Sequence, residues 1–222
     1  MVAMARMKDK QYSLALVDPP YGIGQDWKKR NNNKDRFSPT SYRNEKIPTC
    51  GYFKELMRVS TNQIIWGYNY FTRHLGPTNY LIIWDKQSSN NDVVKYSKCE
   101  VAYTSIKIPA NLVSVPWDGY RMGKETGTRK IHPHQKPIEL YAWLLKNYAK
   151  PGDKILDTHL GSGSSAIAAY EMGFDFTGYE IDAEYFQAAK GRLDRHMKQE
   201  RLFEPIPTKW KQTEQSLLEA MA

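Results

Sequence analysis

Cysteine is nearly missing from this chain. Only Cys50 and Cys99 occur in 222 residues, far apart and in no CxxC pairing, which argues against a disulfide scaffold and against a cysteine zinc site. A reducing cytosol is the compartment that suits such usage. Long apolar runs are missing too: the opening residues 1–13 hold no apolar core of a leader, and no later run approaches membrane-spanning length, so a membrane is not among the expected partners. Acidic residues are in deficit, 24 Asp and Glu against 32 Lys and Arg, for a formal charge of +8. That excess points to a polyanionic partner, nucleic acid before an acidic membrane. What is present is 41% hydrophobic, 25% charged and 13% aromatic. This excludes a disordered tail and suffices for one domain over residues 1–222 with its own core.

Short apolar runs alternate with helical patterns along the chain. Tyr12–Val17 reads as a buried strand that stops at Asp18-Pro19-Pro20, since two prolines end any regular element. Residues 22–49 form a polar stretch carrying Lys28, Lys29, Arg30, Lys34, Arg36, Arg43 and Lys46 against Asp26, Asp35 and Glu45; a stretch of that length is expected to be a functional, mobile basic loop. Phe53, Leu56 and Met57 predict a short helix, and strands are predicted at Gln63–Trp66, Tyr80–Trp84 and, more weakly, Val101–Thr104. Residues 86–130 otherwise read as an irregular insertion rich in Pro and Gly. Pro137 opens a helix with Ile138, Tyr141, Leu144, Leu145 and Tyr148 on one face, followed by a strand at Lys154–Asp157. A small-residue helix Ser164–Met172 ends at Gly173, a strand runs Asp175–Glu180, and Asp182 caps a helix with Phe186, Ala189, Leu193 and Met197. A tail over 203–222 completes the chain. Strands alternating with helices predict an α/β fold with a Rossmann-like, doubly wound, mostly parallel sheet and a small irregular insertion.

Asp157-Thr158-His159-Leu160-Gly161-Ser162-Gly163 follows a strand and opens a helix. The GxGxxA spacing brings backbone N–H groups and a helix N-terminus up to a ligand. Glu180, at the end of the next strand, can accept from both hydroxyls of a ribose. A glycine turn alone would be packing; strand, helix and acid in register predict a site for an adenosine-containing cofactor. That unit by itself leaves NAD open, although few residues remain after Glu180 for a second mononucleotide half.

Asp18-Pro19-Pro20-Tyr21 demands different chemistry. The lone pair of an exocyclic amine is delocalised into its base, so acceptors aimed at the N–H bonds are needed to draw it toward a tetrahedral nitrogen and to stabilise the cation that develops. Asp18 offers one acceptor and the Pro19 carbonyl another, stiffened by the second proline. Tyr21 offers a ring face. Stacking is worth roughly 1–3 kcal/mol against the few kcal/mol that flipping a base costs, and phosphate contacts from the basic loop would supply the remainder. His132 and His134 alternate, but no third ligand stands in register, and no metal is expected.

These motifs together resemble the DNA amino-methyltransferases, in the permuted order in which the catalytic tetrapeptide precedes the cofactor motif. The matching segments are LVDPPYG (16–22), LDTHLGSGSS (156–165), GYEIDAEY (178–185) and the run His132-Pro133-His134-Gln135-Lys136-Pro137. The resemblance implies a class I methyltransferase fold and S-adenosylmethionine as methyl donor, leaving S-adenosylhomocysteine, with no metal. It makes Asp18, Pro19, Pro20 and Tyr21 the target-amine site. Asp157, Gly161, Ser162 and Gly163 become cofactor contacts with Glu180 on the ribose, and His132 and Lys136 lie near the methionine end. It implies double-stranded DNA as partner, with Lys28, Lys29, Arg30, Lys34 and Arg36 on the phosphates and residues 86–130 as the target-recognition insertion. A leading Asp is similar to the adenine-N6 enzymes; cytosine-N4 relatives more often start with Ser. A cytosine-N4 enzyme and a non-catalytic cofactor- or DNA-binding subunit stay open as alternatives, and so does a homodimer. The implied setting is restriction–modification or phage modification in the cytoplasm of a bacterial or phage-infected cell. Where the family typically has Pro-Phe, this chain has Thr158-His159.

Overall fold

The computed structural model describes residues 2–22, 46–87, 97–117 and 121–198. Its elements in chain order are α1 (Val2–Ala5), β1 (Tyr12–Val17), α2 (Cys50–Val59), β2 (Ser60–Trp66), α3 (Tyr68–Leu75), β3 (Leu81–Asp85), β4 (Cys99–Thr104) and β5 (Asn111–Ser114). They continue with α4 (Ile138–Tyr148), β6 (Lys154–Asp157), α5 (Ser164–Met172), β7 (Asp175–Gly178) and α6 (Ala183–Met197).

Seven strands form one sheet in the order β5-β3-β4-β2-β1-β6-β7. β1 lies between two parallel neighbours, with Leu14 opposite Asn62 of β2 and Ile155 of β6. Parallel sheets are stable when both faces are covered, and the sequence supplies that with unbroken apolar runs at Leu14–Val17 of β1 and Ile64–Trp66 of β2 rather than an alternating pattern. Leu14, Leu16, Ile64 and Trp66 pack on one face with Leu140, Tyr141, Leu144 and Leu145 of α4 and Ala168 and Ala169 of α5. Ala15, Val17, Ile65 and Leu156 pack on the other with Tyr52, Phe53 and Leu56 of α2 and Phe71 of α3. The doubly wound α/β expectation is met.

Several details differ from the sequence reading. Within 86–130 the strand expected at Val101–Thr104 is present as β4, and β5, which the sequence pattern does not predict, adds an edge strand to the central sheet. β4 runs antiparallel to both β2 and β3, and β5 lies parallel to β3 at the edge. β7 stops at Gly178, so Glu180 stands two residues past the strand. Pro137 sits just outside α4 as its N-cap, at φ −65°, where its missing N–H costs nothing.

The reversed direction of β4 puts an acidic residue at the functional end of the sheet. Its first residues, Cys99 and Glu100, come to lie opposite Asp85 and Trp84 at the carboxyl end of β3. The strand order also reverses at β1, since the chain leaves it toward β2 on one side and reaches β6 on the other. The crevice outside the carboxyl ends at such a switch point is where open α/β sheets bind ligands.

Candidate active site

Asp18 follows β1 directly and is half-buried. Its Oδ1 accepts from the Tyr21 hydroxyl at 2.6 Å, and its Oδ2 accepts from the Lys136 ammonium. Lys136 also contacts Glu100 Oε2 at 3.0 Å and the Tyr21 hydroxyl oxygen at 3.2 Å, and its side chain is only 5% exposed. Lys86, just past β3, pairs with Glu100 from the far side. Two carboxylates and two ammonium groups thus alternate along a chain Asp18–Lys136–Glu100–Lys86. Burial works against the charge on Lys136, but the Asp18 and Glu100 carboxylates overcome it and hold the ammonium above the ordinary lysine range. Burial likewise works against Glu100, and Lys136 and Lys86 reverse it, lowering its pKa to about 2. Burial, then the nearby Asp18 and Glu100 charges, push the Tyr21 phenol well up, so it remains a proton donor.

Aromatic rings wall this centre. Tyr70 of α3 stacks on Tyr21 with centroids 4.9 Å apart and planes 12° from parallel, and Phe71 meets the Tyr21 edge at 5.9 Å. Lys136 Nζ lies 5.6 Å from the Tyr21 ring and 5.7 Å from the Trp66 ring, within cation–π range. Gly67 makes room for Tyr21: at φ +79°, a Cβ there would lie 2.2 Å from Tyr21 Cε1.

The glycine turn adjoins on β6. Asp157 is buried; its Oδ1 accepts from the His159 backbone N–H at 2.9 Å and its Oδ2 from the Ser165 hydroxyl at 2.6 Å. Burial outweighs those bonds and raises its pKa to about 7, helped by the Asp18 charge. Glu180 accepts from the Gly161 N–H at 2.8 Å and, on its other oxygen, from the Asp182 N–H at 3.0 Å. Gly163 caps α5 at φ +74°, and a Cβ there would press within 3.2 Å of Ala189 on α6. His132 lies against Gly161 and meets Tyr185 edge-on at 4.6 Å. Burial lowers its pKa to about 3, so the ring is neutral.

The segment 132–137 is held rigidly between the two halves. Glu125 Oε1 accepts the first N–H of α4, from Ile138, at 2.7 Å, while its Oε2 accepts from Gln135 at 3.2 Å and pairs with Arg192 of α6. Arg192 also donates to the Ser162 carbonyl and the Ser164 hydroxyl, both at 2.9 Å. One arginine therefore fixes the glycine turn and the lysine-bearing segment to each other. The Thr158-His159 departure has a local account as well. Tyr52 of α2 is 2.7 Å from Thr158 Oγ1, which is 3.0 Å from His159 Nδ1, so a polar triangle replaces apolar packing beside Asp157.

All the expected residues within the described part converge on this crevice: Asp18, Pro19, Pro20 and Tyr21 on one side, Asp157, Gly161, Ser162, Gly163 and Glu180 on the other, with His132 and Lys136 between. Lys28, Lys29, Arg30, Lys34 and Arg36 lie outside the described residues, as does the tail 203–222. Sequence reasoning missed Glu100, and it left Trp66-Gly67-Tyr68-Asn69-Tyr70, past a strand end, open between a wall of the base pocket and plain packing. Nothing in the string Lys98-Cys99-Glu100 marks a partner for Lys136, because that pairing depends on the reversed strand.

A switch-point crevice with an acid–Pro–Pro–Tyr turn on one strand and a glycine turn on its neighbour defines a class I methyltransferase fold. Comparison with known proteins agrees. The family described as DNA methylase, the N6/N4 methyltransferases, matches residues 50–191. The Type II methyltransferase M.HpaI of Haemophilus parainfluenzae is 22% identical over 86% of this chain and 71% of its own. The complex of M1.HpyAVI with SAM superposes with a TM-score of 0.55 at 19% identity, covering 85% of this chain and 90% of that one. The cytosine-N4-specific PvuII DNA methyltransferase gives 0.56 at 13% identity, over 91% and 84%. The chain belongs to the N6/N4 DNA methylase family, as its motifs indicated.

Proposed function

We propose that this protein transfers a methyl group from S-adenosylmethionine to the exocyclic N6 of adenine in double-stranded DNA, on a base flipped from the helix, by direct in-line displacement without a covalent enzyme intermediate. The observation that carries this reading is the Asp18 carboxylate, fixed at the end of β1 by Tyr21 and Lys136 and beside the Asp157 glycine turn.

The chain suits the donor. Glu180 accepts one N–H on each oxygen, which leaves lone pairs for two ribose hydroxyls. Asp157, its charge suppressed by burial, would regain it beside the cationic methionine end. Gly161, Ser162 and Gly163 bring the α5 N-terminus close, and His132 closes over the turn as a neutral ring. When bound, the cofactor supplies an electrophilic methyl on a sulfonium. Asp18 accepts one N–H of the target amine and the Pro19 carbonyl the other. This pulls electron density onto the nitrogen as the N–C bond forms, and the carboxylate stabilises the resulting cation until its proton leaves. Tyr21 stacks on the base.

The leading Asp favours adenine-N6, whereas PvuII, at similar structural likeness, is cytosine-N4-specific; cytosine-N4 transfer is the second reading. Incubation with labelled S-adenosylmethionine and unmethylated DNA, followed by digestion to nucleosides, separates them. Label in N6-methyldeoxyadenosine is the expected result, and label only in N4-methyldeoxycytidine, or in no base, overturns it. We assign 1–222 to one catalytic domain, with 22–49 contacting phosphates and the parts of 86–130 outside β4 and β5 reading the target. Neutralising Lys28, Lys29 and Arg30 should then flatten the salt dependence of DNA binding, by about 0.9 in log–log slope for each phosphate that is no longer neutralised. An unaltered slope would remove the loop from the DNA.

A further inference from the structure

In the protein alone, each Asp18 oxygen already accepts one bond, Oδ1 from the Tyr21 hydroxyl and Oδ2 from the Lys136 ammonium, so a target amine meets a full positive charge on that carboxylate. Lys136 donates to Asp18 Oδ2 and neutralises it. An ammonium left there during transfer would repel the positive charge that grows on the methylated nitrogen and weaken the carboxylate as an acceptor. It must move, and a cation that is 5% exposed cannot move into water. The groups around it limit where it can go. Asp18 and Tyr21 face it from the end of β1, Glu100 from β4, and His132 from its own segment. Lys86 stands behind Glu100, and Tyr141 of α4 faces Asp18, Glu100 and Tyr21. Among the described residues, Glu100 is the one carboxylate apart from Asp18 that Lys136 touches, at 3.0 Å.

We propose that Glu100 is a positioning residue of the transfer site: it receives the Lys136 ammonium when the target amine replaces that ammonium on Asp18, freeing the Asp18 charge for the reacting nitrogen. The proposal rests on the methyl-transfer function proposed for this crevice. No new bond to Lys136 has to be found, because the Glu100 pairing already exists, and the shift is a small rotation of the ammonium. The Lys136 backbone stays in place, since Glu125, Gln135 and Arg192 hold its segment. Charge balances throughout. Glu100 holds Lys86 on one oxygen and Lys136 on the other both before and after the shift, and Asp157 is turned to Ser165 and the His159 N–H.

The test uses the full chain, S-adenosylmethionine and unmethylated plasmid DNA, comparing wild type with Glu100→Gln and Glu100→Asp. The single-turnover rate of methyl transfer is measured from about pH 6 to 10, spanning the range in which a buried lysine can lose its proton, and cofactor affinity by calorimetry without DNA. Glu100→Gln keeps the shape and removes the charge, so Lys136 stays on Asp18. The rate at neutral pH should fall about tenfold or more, with cofactor affinity within about twofold of wild type. Losing Glu100 also removes one of the carboxylates that hold Lys136 charged. The deficit should therefore narrow as pH rises and the competing ammonium loses its proton, and Glu100→Asp should recover most of the rate. A wild-type rate in Glu100→Gln, a deficit that is constant with pH, or one that tracks weakened cofactor affinity would each overturn the proposal. Failure of the wild type itself to methylate any base amine would instead defeat the methyl-transfer reading, and the role of Glu100 with it.

Discussion

Asp18→Ala should reduce the methyl-transfer rate by on the order of 10²–10³-fold or more while leaving cofactor affinity nearly unchanged. Asp18 lies at the carboxyl end of β1 and bonds to Tyr21 and Lys136, whereas the glycine turn is braced separately by Glu180, Asp157 and Arg192. Truncation removes the acceptor that a developing ammonium-like nitrogen requires and nothing that touches the turn directly. A stability cost is expected alongside, since one partner of a buried ion pair is removed. It should fall below the roughly 3–5 kcal/mol typical of breaking such a pair outright, because Lys136 keeps Glu100. Asp18→Asn, which keeps one acceptor oxygen where Tyr21 and Lys136 use two, should recover part of the stability but not the rate. Single-turnover kinetics, calorimetry of cofactor binding and thermal melts give the three readouts. Unchanged turnover in Asp18→Ala removes the residue from the mechanism.

Gly67→Ala should damage fold and site together. Gly67 adopts φ +79°, a conformation that costs a residue bearing a Cβ about 1–3 kcal/mol. The added methyl would also fall 2.2 Å from Tyr21 Cε1 and 2.6 Å from Cδ1. Backbone relaxation cannot clear that easily, because the Gly67 N–H is bonded to Val101 O at 3.0 Å and its carbonyl accepts from Tyr70 at 2.9 Å. The Tyr21 ring must swing instead, breaking its bond to Asp18 and its stack on Tyr70. A displacement near 1 Å in a positioned group can cost about 10²-fold in rate, and a loss of that size is expected, along with a lowered melting temperature. Wild-type kinetics in a variant of unchanged stability would mean that the Tyr21 position is unimportant for transfer.

The parts of the molecule that are legible in the sequence are those with local punctuation. β1 is bounded by Pro19 and Pro20, α5 by Gly163 and Gly173, and α6 by Asp182, whose side chain accepts from the Glu184 and Tyr185 N–H groups. Elements without such marks escape a sequence reading. α3 is only eight residues long and buries only Phe71, and its start depends on the αL conformation of Gly67. β5 has three of its four residues exposed and owes its existence to pairing with β3. Within the site, both motif clusters are readable because their residues are contiguous in the chain. Glu100 is not, since its importance comes from a strand reversal and from Lys136, far along the chain, and both become visible only once β4 is inserted between β2 and β3.

The pairing of Leu14 with Ile155 has a consequence for how the molecule comes to life during synthesis. β1 leaves the ribosome well before β6, so one of its two hydrogen-bonding flanks stays bare until residues 154–157 have emerged and docked. Contacts so distant in sequence close slowly, because loop entropy must be overcome before they contribute. Neither the acid turn nor the glycine turn has its neighbour before that moment. The crevice therefore has only one of its two walls until β6 docks beside β1.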